Sequence, residues 1–268
     1  MKDIRMNRGD ISGYRHIEFE EIRADNGKSI GIIYMKKPPR NSIGSWLLDA
    51  IYDKMDQYEG DDTIGAILIG SRVRGVFSDG ADRNELFGSW ISGLVAEKNF
   101  ERFRRAHEMF VEIENCKKPV IAAINGVTIG AGLELAMLCD LRIASEIAFF
   151  SMPEAKPELS IIPGLGGTQR LPRFIGAARA KEMLLLGKMI RAETALAWGL
   201  INRITPHKEV LDTAIAMAKT LLERDARALK EMKKCVNYAG ENDILKGLEY
   251  EVGLFAEMMR IKLSNKGT

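Results

Sequence analysis

The 268 residues carry 39 Lys and Arg against 37 Asp and Glu, a net charge of +2, with 46% hydrophobic residues. This is the mixture of a folded chain with a real core; it excludes disordered, fibrous and low-complexity classes, and it gives no reason to expect a polyanionic partner. Three widely separated histidines, His16, His107 and His207, leave little material for a metal site or a His-based triad, and Cys116, Cys139 and Cys235 form no CxxC.

In chain order, residues 17–23 and 29–35 flank Asn26-Gly27 and predict a hairpin. Ile43, Leu47, Ile51 and Met55 recur at four-residue spacing and predict a helix over 42–58, with Asn41 or Ser42 as its cap. Strand-like runs at 64–69, 119–124, 141–145 and 200–204 alternate with segments of helical period, which predicts the α/β class. In the segment 100–113, Phe100, Phe103, Phe110 and Ile113 share a face near His107, which reads as a partly buried packing residue. After residue 205 only helical periods remain, so 1–205 reads as the core and 206–268 as a helical region that packs on it or on a partner subunit.

The apolar run 121–138 is nearly long enough to span a bilayer, but it holds Asn125-Gly126, Gly130, Gly132 and Glu134, so it reads as strand, turn and buried helix. A carboxylate in the most apolar part of a chain needs a reason to be there. The spaced thiols, an N-terminal MKDIRMNRGDISGYRH without an apolar stretch, and the lack of a glycosylation sequon make the cytoplasm the expected compartment. Neither a membrane nor a nucleic acid is expected as partner.

Three glycine loops stand out: Asp79-Gly80-Ala81-Asp82, Gly130-Ala131-Gly132 and Gly164-Leu165-Gly166-Gly167. Each suits a phosphate cradle or a plain turn. The last lacks the Lys-Ser/Thr of a P-loop and none completes GxGxxG after a strand, so both nucleotide-binding devices are excluded. Gly130-Ala131-Gly132 opens a helix, whose free N–H groups and positive dipole end suit a developing oxyanion. Glu134 lies in that first turn; Glu154 follows Ser151-Met152-Pro153, and Glu158 comes four residues later. Two glutamates meeting near backbone donors would supply acid, base and oxyanion stabilisation, the parts needed for proton transfer beside a carbonyl.

Three long segments carry a family resemblance: GAILIGSRVRGVFSDGADRNEL (65–86), KKPVIAAINGVTIGAGLELAMLCDLRIAS (117–145) and SMPEAKPELSIIPGLGGTQRLPRFIG (151–176). They resemble the crotonase superfamily, the enoyl-CoA hydratases and isomerases. The resemblance implies a core of stacked ββα turns with a C-terminal helical trimerisation region, assembled as a homotrimer or a homohexamer, a dimer of trimers. It matches the N–H groups of Ala81 and Ala131 to an oxyanion hole for the thioester oxygen, and Glu134 and Glu154 to the catalytic glutamates. Asp79, Gly80, Asp82, Gly130, Gly132, Pro153 and Glu158 fall in the implied substrate site, with Lys37 or Arg40 available for coenzyme A phosphates. Coenzyme A is then part of the acyl-CoA substrate, and no separate cofactor or metal is expected.

Relative to the family pattern, Pro157-Glu158 reads as a two-residue insertion, so either Glu154 or Glu158 faces the substrate. Residues 84–99, with Phe87, Trp90, Ile91 and Leu94, either line an apolar acyl pocket or pack. The implied activity is that of a lyase hydrating a 2-enoyl-CoA in fatty acid metabolism. The alternatives are a double-bond isomerase and a non-catalytic scaffold or RNA-binding member.

Overall fold

The computed structural model describes residues 14–85 and 96–264. Strands β1 (Ile17–Arg23) and β2 (Ser29–Met35) form the expected antiparallel hairpin, registered from Ile17 opposite Met35 to Arg23 opposite Ser29. They continue into a sheet of order β1-β2-β3-β5-β7-β10, whose later members are β3 (Ile64–Ser71), β5 (Val120–Ile124), β7 (Leu141–Ser145) and β10 (Arg203–Thr205). All pairs beyond the hairpin are parallel. A parallel sheet must be covered on both faces, which is why its strands read as continuous apolar runs.

The covering helices explain the alternation within those runs. Ile30, Ile32, Leu68, Ile121 and Ile143 meet Val210, Ala214, Ala218 and Leu222 of the helix Val210–Leu222. Their neighbours Ile33, Ile67, Ile69 and Ala122 belong to the main core, with Leu47, Ile51 and Met55 of α1 (Ser45–Gly60). The first helix after residue 205 is therefore a working layer of the larger sheet.

The predicted cap of α1 is corrected by the structure. Gly44 is the N-cap, with no side-chain cap bond of its own, and the helix begins at Ser45. Asn41 is fully buried with φ 52: its amide nitrogen donates to Ser71 Oγ (2.7 Å) and Phe77 O (3.0 Å), and its oxygen accepts from Lys37 N (2.7 Å). Ser42 Oγ donates to Asp79 instead, and the free end of α1 is met from outside by the Glu85 carboxylate, which accepts from Ser45 N at 3.0 Å.

A second sheet, of order β4-β6-β8-β9, was not foreseen as a sheet. Its strands are β4 (Val76–Ser78), β6 (Val127–Ile129), β8 (Phe149–Ser151) and β9 (Ile190–Arg191). β6 pairs in parallel with β4 on one side and β8 on the other. The remaining helices are α2 (Ala96–Glu114), α3 (Ala131–Leu138), α4 (Gly167–Ile175), α5 (Ala177–Leu186), α6 (Ala192–Trp198), the sheet-covering α7 (Val210–Leu222), α8 (Ala226–Glu241) and α9 (Ile244–Ser264). The last two contain no buried residue, and Val236, Leu245, Val252 and Phe255 are exposed. Among the described residues no helix is long and apolar enough to cross a membrane.

Candidate active site

In an open parallel sheet the carboxyl ends of neighbouring strands bring their following loops together, and such a crevice is where ligands bind. Here those loops are the three that carry chemistry. β4 runs into Asp79-Gly80-Ala81-Asp82, β6 into Gly130 and α3, and β8 into Met152-Pro153-Glu154. They border a cavity of about 1120 Å³, lined among others by Asp79, Gly80, Ala81, Gly130, Ala131, Glu134, Pro153, Glu154 and Glu158.

The β4 loop isolates one N–H. Asp79 N donates to Arg40 O, Gly80 N to Ser78 Oγ and Asp82 N to Ile43 O, while Ile43 N donates to Gly80 O at 2.7 Å. Among the described residues Ala81 N has no acceptor within the protein. Gly80 holds φ +110, and a Cβ placed there would stand 3.2 Å from Ile129 O and 3.8 Å from Ala131 N. The loop thus presses on the start of α3, where Ala131 N is one of the first-turn donors that a helix leaves unbonded. Two unused N–H groups from separate elements therefore border one cavity.

Glu134 points from the first turn of α3 and is 2% exposed. Its Oε1 accepts from Leu165 N at 2.9 Å and from Gly167 N at 2.7 Å. The Gly164–Gly167 loop, which reads as a phosphate cradle or a turn, instead holds the protein's own carboxylate. Burial pushes the Glu134 carboxyl above its ordinary range, while the two N–H groups and the charge of Arg170 pull it back.

Glu154 is 8% exposed, and its buried Oε2 finds no partner among the described residues. Its Oε1 lies close to Gly130: a Cβ there would be 2.7 Å away, so only a glycine, here with φ +50, admits this approach. Burial raises the Glu154 carboxyl to about 7, against the pull of its own backbone N–H and with the nearby Glu134 charge adding to the rise. Between Glu154 and Glu158, the structure thus buries the former among the donors and leaves the latter exposed at the cavity rim.

Other anticipated residues divide. Arg40 lines the cavity with its side chain 70% exposed, 3.5 Å from Asp79. Lys37 is turned away, its Nζ on Asp82 Oδ2 (2.6 Å) and on Ser42 O (2.9 Å); neither Lys37 nor Asp82 lines the cavity. Gly132 serves packing, since a Cβ there would meet Ser78. His107, read as partly buried, is exposed and lines the cavity together with Phe103 and Arg104, because it falls on the solvent side of α2 while Phe110 and Ile113 face the core. Phe87, Trp90, Ile91 and Leu94 lie outside the described residues.

Sequence reasoning missed the donors Leu165 N and Gly167 N and the Arg170–Glu114 pair. The available signal was the glycine loop itself, whose partner is 31 residues away from Leu165 and could not be read from spacing.

The comparisons agree with this architecture. The family model described as enoyl-CoA hydratase/isomerase matches residues 25–268. A probable enoyl-CoA hydratase of Mycobacterium bovis is 33% identical over 238 residues, covering 88% of this chain and 89% of that protein. One from Bacillus subtilis is 38% identical over 207 residues, covering 76% of each chain. The crystal structure of enoyl-CoA hydratase from Bacillus anthracis superposes with a TM-score of 0.82 at 28% identity, covering 91% of each chain. The chain belongs to the enoyl-CoA hydratase/isomerase family and is a hydratase-like enzyme of the crotonase fold.

Proposed function

We propose that the enzyme adds water across the double bond of a 2-enoyl-CoA thioester, with Glu134 and Glu154 as the proton-transferring pair. The observation that carries this reading is the contrast between the two buried carboxyls: Oε1 of Glu134 is fixed by two N–H groups, and Oε2 of Glu154 has none. Hydrogen bonds to the charged form favour it: Glu134 takes two from other residues, whereas at Glu154 burial outweighs the single bond from its own N–H and favours the neutral acid. Glu134 is then the base and Glu154 the acid.

The thioester oxygen sits between Ala81 N and Ala131 N. Glu134 takes a proton from water as the water oxygen bonds to C3; the C2–C3 π pair moves to the thioester as an enolate, and Glu154 gives its proton to C2. A proton passed from Glu134 to Glu154 restores both. The developing oxyanion is where preorganised donors matter most, with each typically worth about 3 to 4 kcal/mol, and the positive end of α3 adds to them. Arg40, beside Arg83, Arg104 and Lys156 in the cavity lining, is available for coenzyme A phosphates.

One observation favours a second reading, double-bond isomerisation. Glu134 bonds Gly167 at the first position of α4 and so already has a structural task as the anchor of that helix. If that is its whole role, Glu154 alone shuttles a proton between carbons. Hydration of crotonyl-CoA by the wild-type enzyme, lost in Glu134→Gln, separates the two, since isomerisation alone would leave wild type without hydratase activity. For the assembly we propose a trimer or a dimer of trimers built on residues 206–268, supported by the apolar side chains that α8 and α9 leave exposed, and a cytoplasmic location.

A further inference from the structure

The residues around Glu134 form a chain that runs through Leu165 to Arg170 and ends on a different helix, at Glu114, 56 positions before Arg170. Arg170, in the second turn of α4, donates from Nε to Glu114 Oε1 at 3.0 Å and from Nη2 to Glu114 Oε2 at 2.7 Å, a bidentate pair with the last residue of α2. Its third donor, Nη1, bonds Leu165 O at 3.0 Å. Leu165 N is one of the two donors to Glu134. A guanidinium presents its donors in a rigid fork, so the same plane that grips Glu114 fixes the peptide that grips Glu134.

The backbone is adapted to this reach. Gly166 takes φ +97, and a Cβ on it would run into Arg170 Nη1, so the guanidinium passes over a position that only glycine leaves open. On the other side Phe103 of α2 lies 3.3 Å from where a Cβ on Gly164 would be. The arginine is largely buried, with 14% of its side chain exposed against 33% for Glu114.

We propose that Arg170 and Glu114 are positioning residues for hydration: they hold the Gly164–Gly167 loop so that the Glu134 carboxylate is aimed at the water, and they tie that aim to α2, the helix that carries Phe103, Arg104 and His107 along the cavity. This rests on the reading of Glu134 as the base. Loss of the brace lets the loop relax, and misplacement of a catalytic group by about 1 Å is enough to cost on the order of 100-fold in rate.

The test compares wild type, Arg170→Gln, Arg170→Lys, Glu114→Gln and Glu134→Gln on crotonyl-CoA, measuring kcat, KM and the pH profile, with thermal melting as control. The expected result is a 10- to 100-fold loss of kcat in Arg170→Gln at nearly constant KM, with a smaller loss in Glu114→Gln and partial recovery in Arg170→Lys. The acid limb of the Arg170→Gln profile should also move to higher pH, because the positive charge that favours ionised Glu134 is gone. Arg170→Gln placed on Glu134→Gln should cost nothing further. A lower melting temperature with kcat and the acid limb unchanged would overturn the proposal; if Arg170→Gln does not fold, Glu114→Gln, which keeps the Arg170 charge, decides by the split between kcat and KM, and an unchanged kcat there would overturn it. Full hydration by Glu134→Gln would instead sink the reading of Glu134 as the base, whatever the other variants do.

Discussion

Gly130 and Glu154 occupy space that a single methyl group would close: a Cβ on the glycine would stand 2.7 Å from Glu154 Oε1. Gly130 is also the N-cap of α3 at φ +50, a conformation that disfavours other residues. Gly130→Ala should therefore displace the Glu154 carboxyl and strain the helix start together. The expected outcome is a loss of at least 100-fold in kcat, with about 1 to 3 kcal/mol of stability, measured by steady-state hydration and by urea unfolding.

The charge state of Glu154 gives a prediction in pH. Burial lifts its carboxyl from the ordinary 4.5 to about 7. The native state thus holds the proton more tightly than the unfolded chain, and this contribution to stability is complete below about 4.5 and lost as pH rises through about 7. Subtracting the unfolding free energy of Glu154→Gln from that of wild type should give a difference that falls with pH across this window. A flat difference would place an ionised Glu154 in the native protein.

Asn41 is a structural counterpart on the same side of the site. Its amide joins Ser71, Phe77 and Lys37 beneath the strand that delivers Ala81. Asn41→Ala leaves buried groups unpaired and puts alanine at a positive φ, so a loss of about 2 to 4 kcal/mol is expected by urea unfolding, with the dependence on urea unchanged.

How much of this was legible follows the length of each signal. The hairpin 17–23 and 29–35 is readable because seven-residue strands and Asn26-Gly27 specify both period and turn. α3 is readable from Gly130-Ala131-Gly132 against an apolar run. Strands β4, β6 and β8 have three residues each, too few to show a period, so the sheet whose ends assemble the site was not visible as a sheet. Asn41 looks like a cap because its residue type favours caps; its buried hydrogen bond to the Phe77 carbonyl joins it to a residue 36 positions away. Glu154 and Glu158 are alike in sequence, and only burial separates them. The roles of Glu134 and Glu154 came from resemblance, to which the structure adds a physical difference between the two carboxyls.

The central claim is that two carboxyls with opposite protonation carry out hydration. Its most direct test is the loss of the crotonyl-CoA enoyl absorbance for wild type, Glu134→Gln and Glu154→Gln at matched folded concentration. General acid and base contributions are typically 100- to 10,000-fold, so each variant should lose at least about 100-fold in kcat while retaining its fold. Full hydratase activity in either variant would contradict the account.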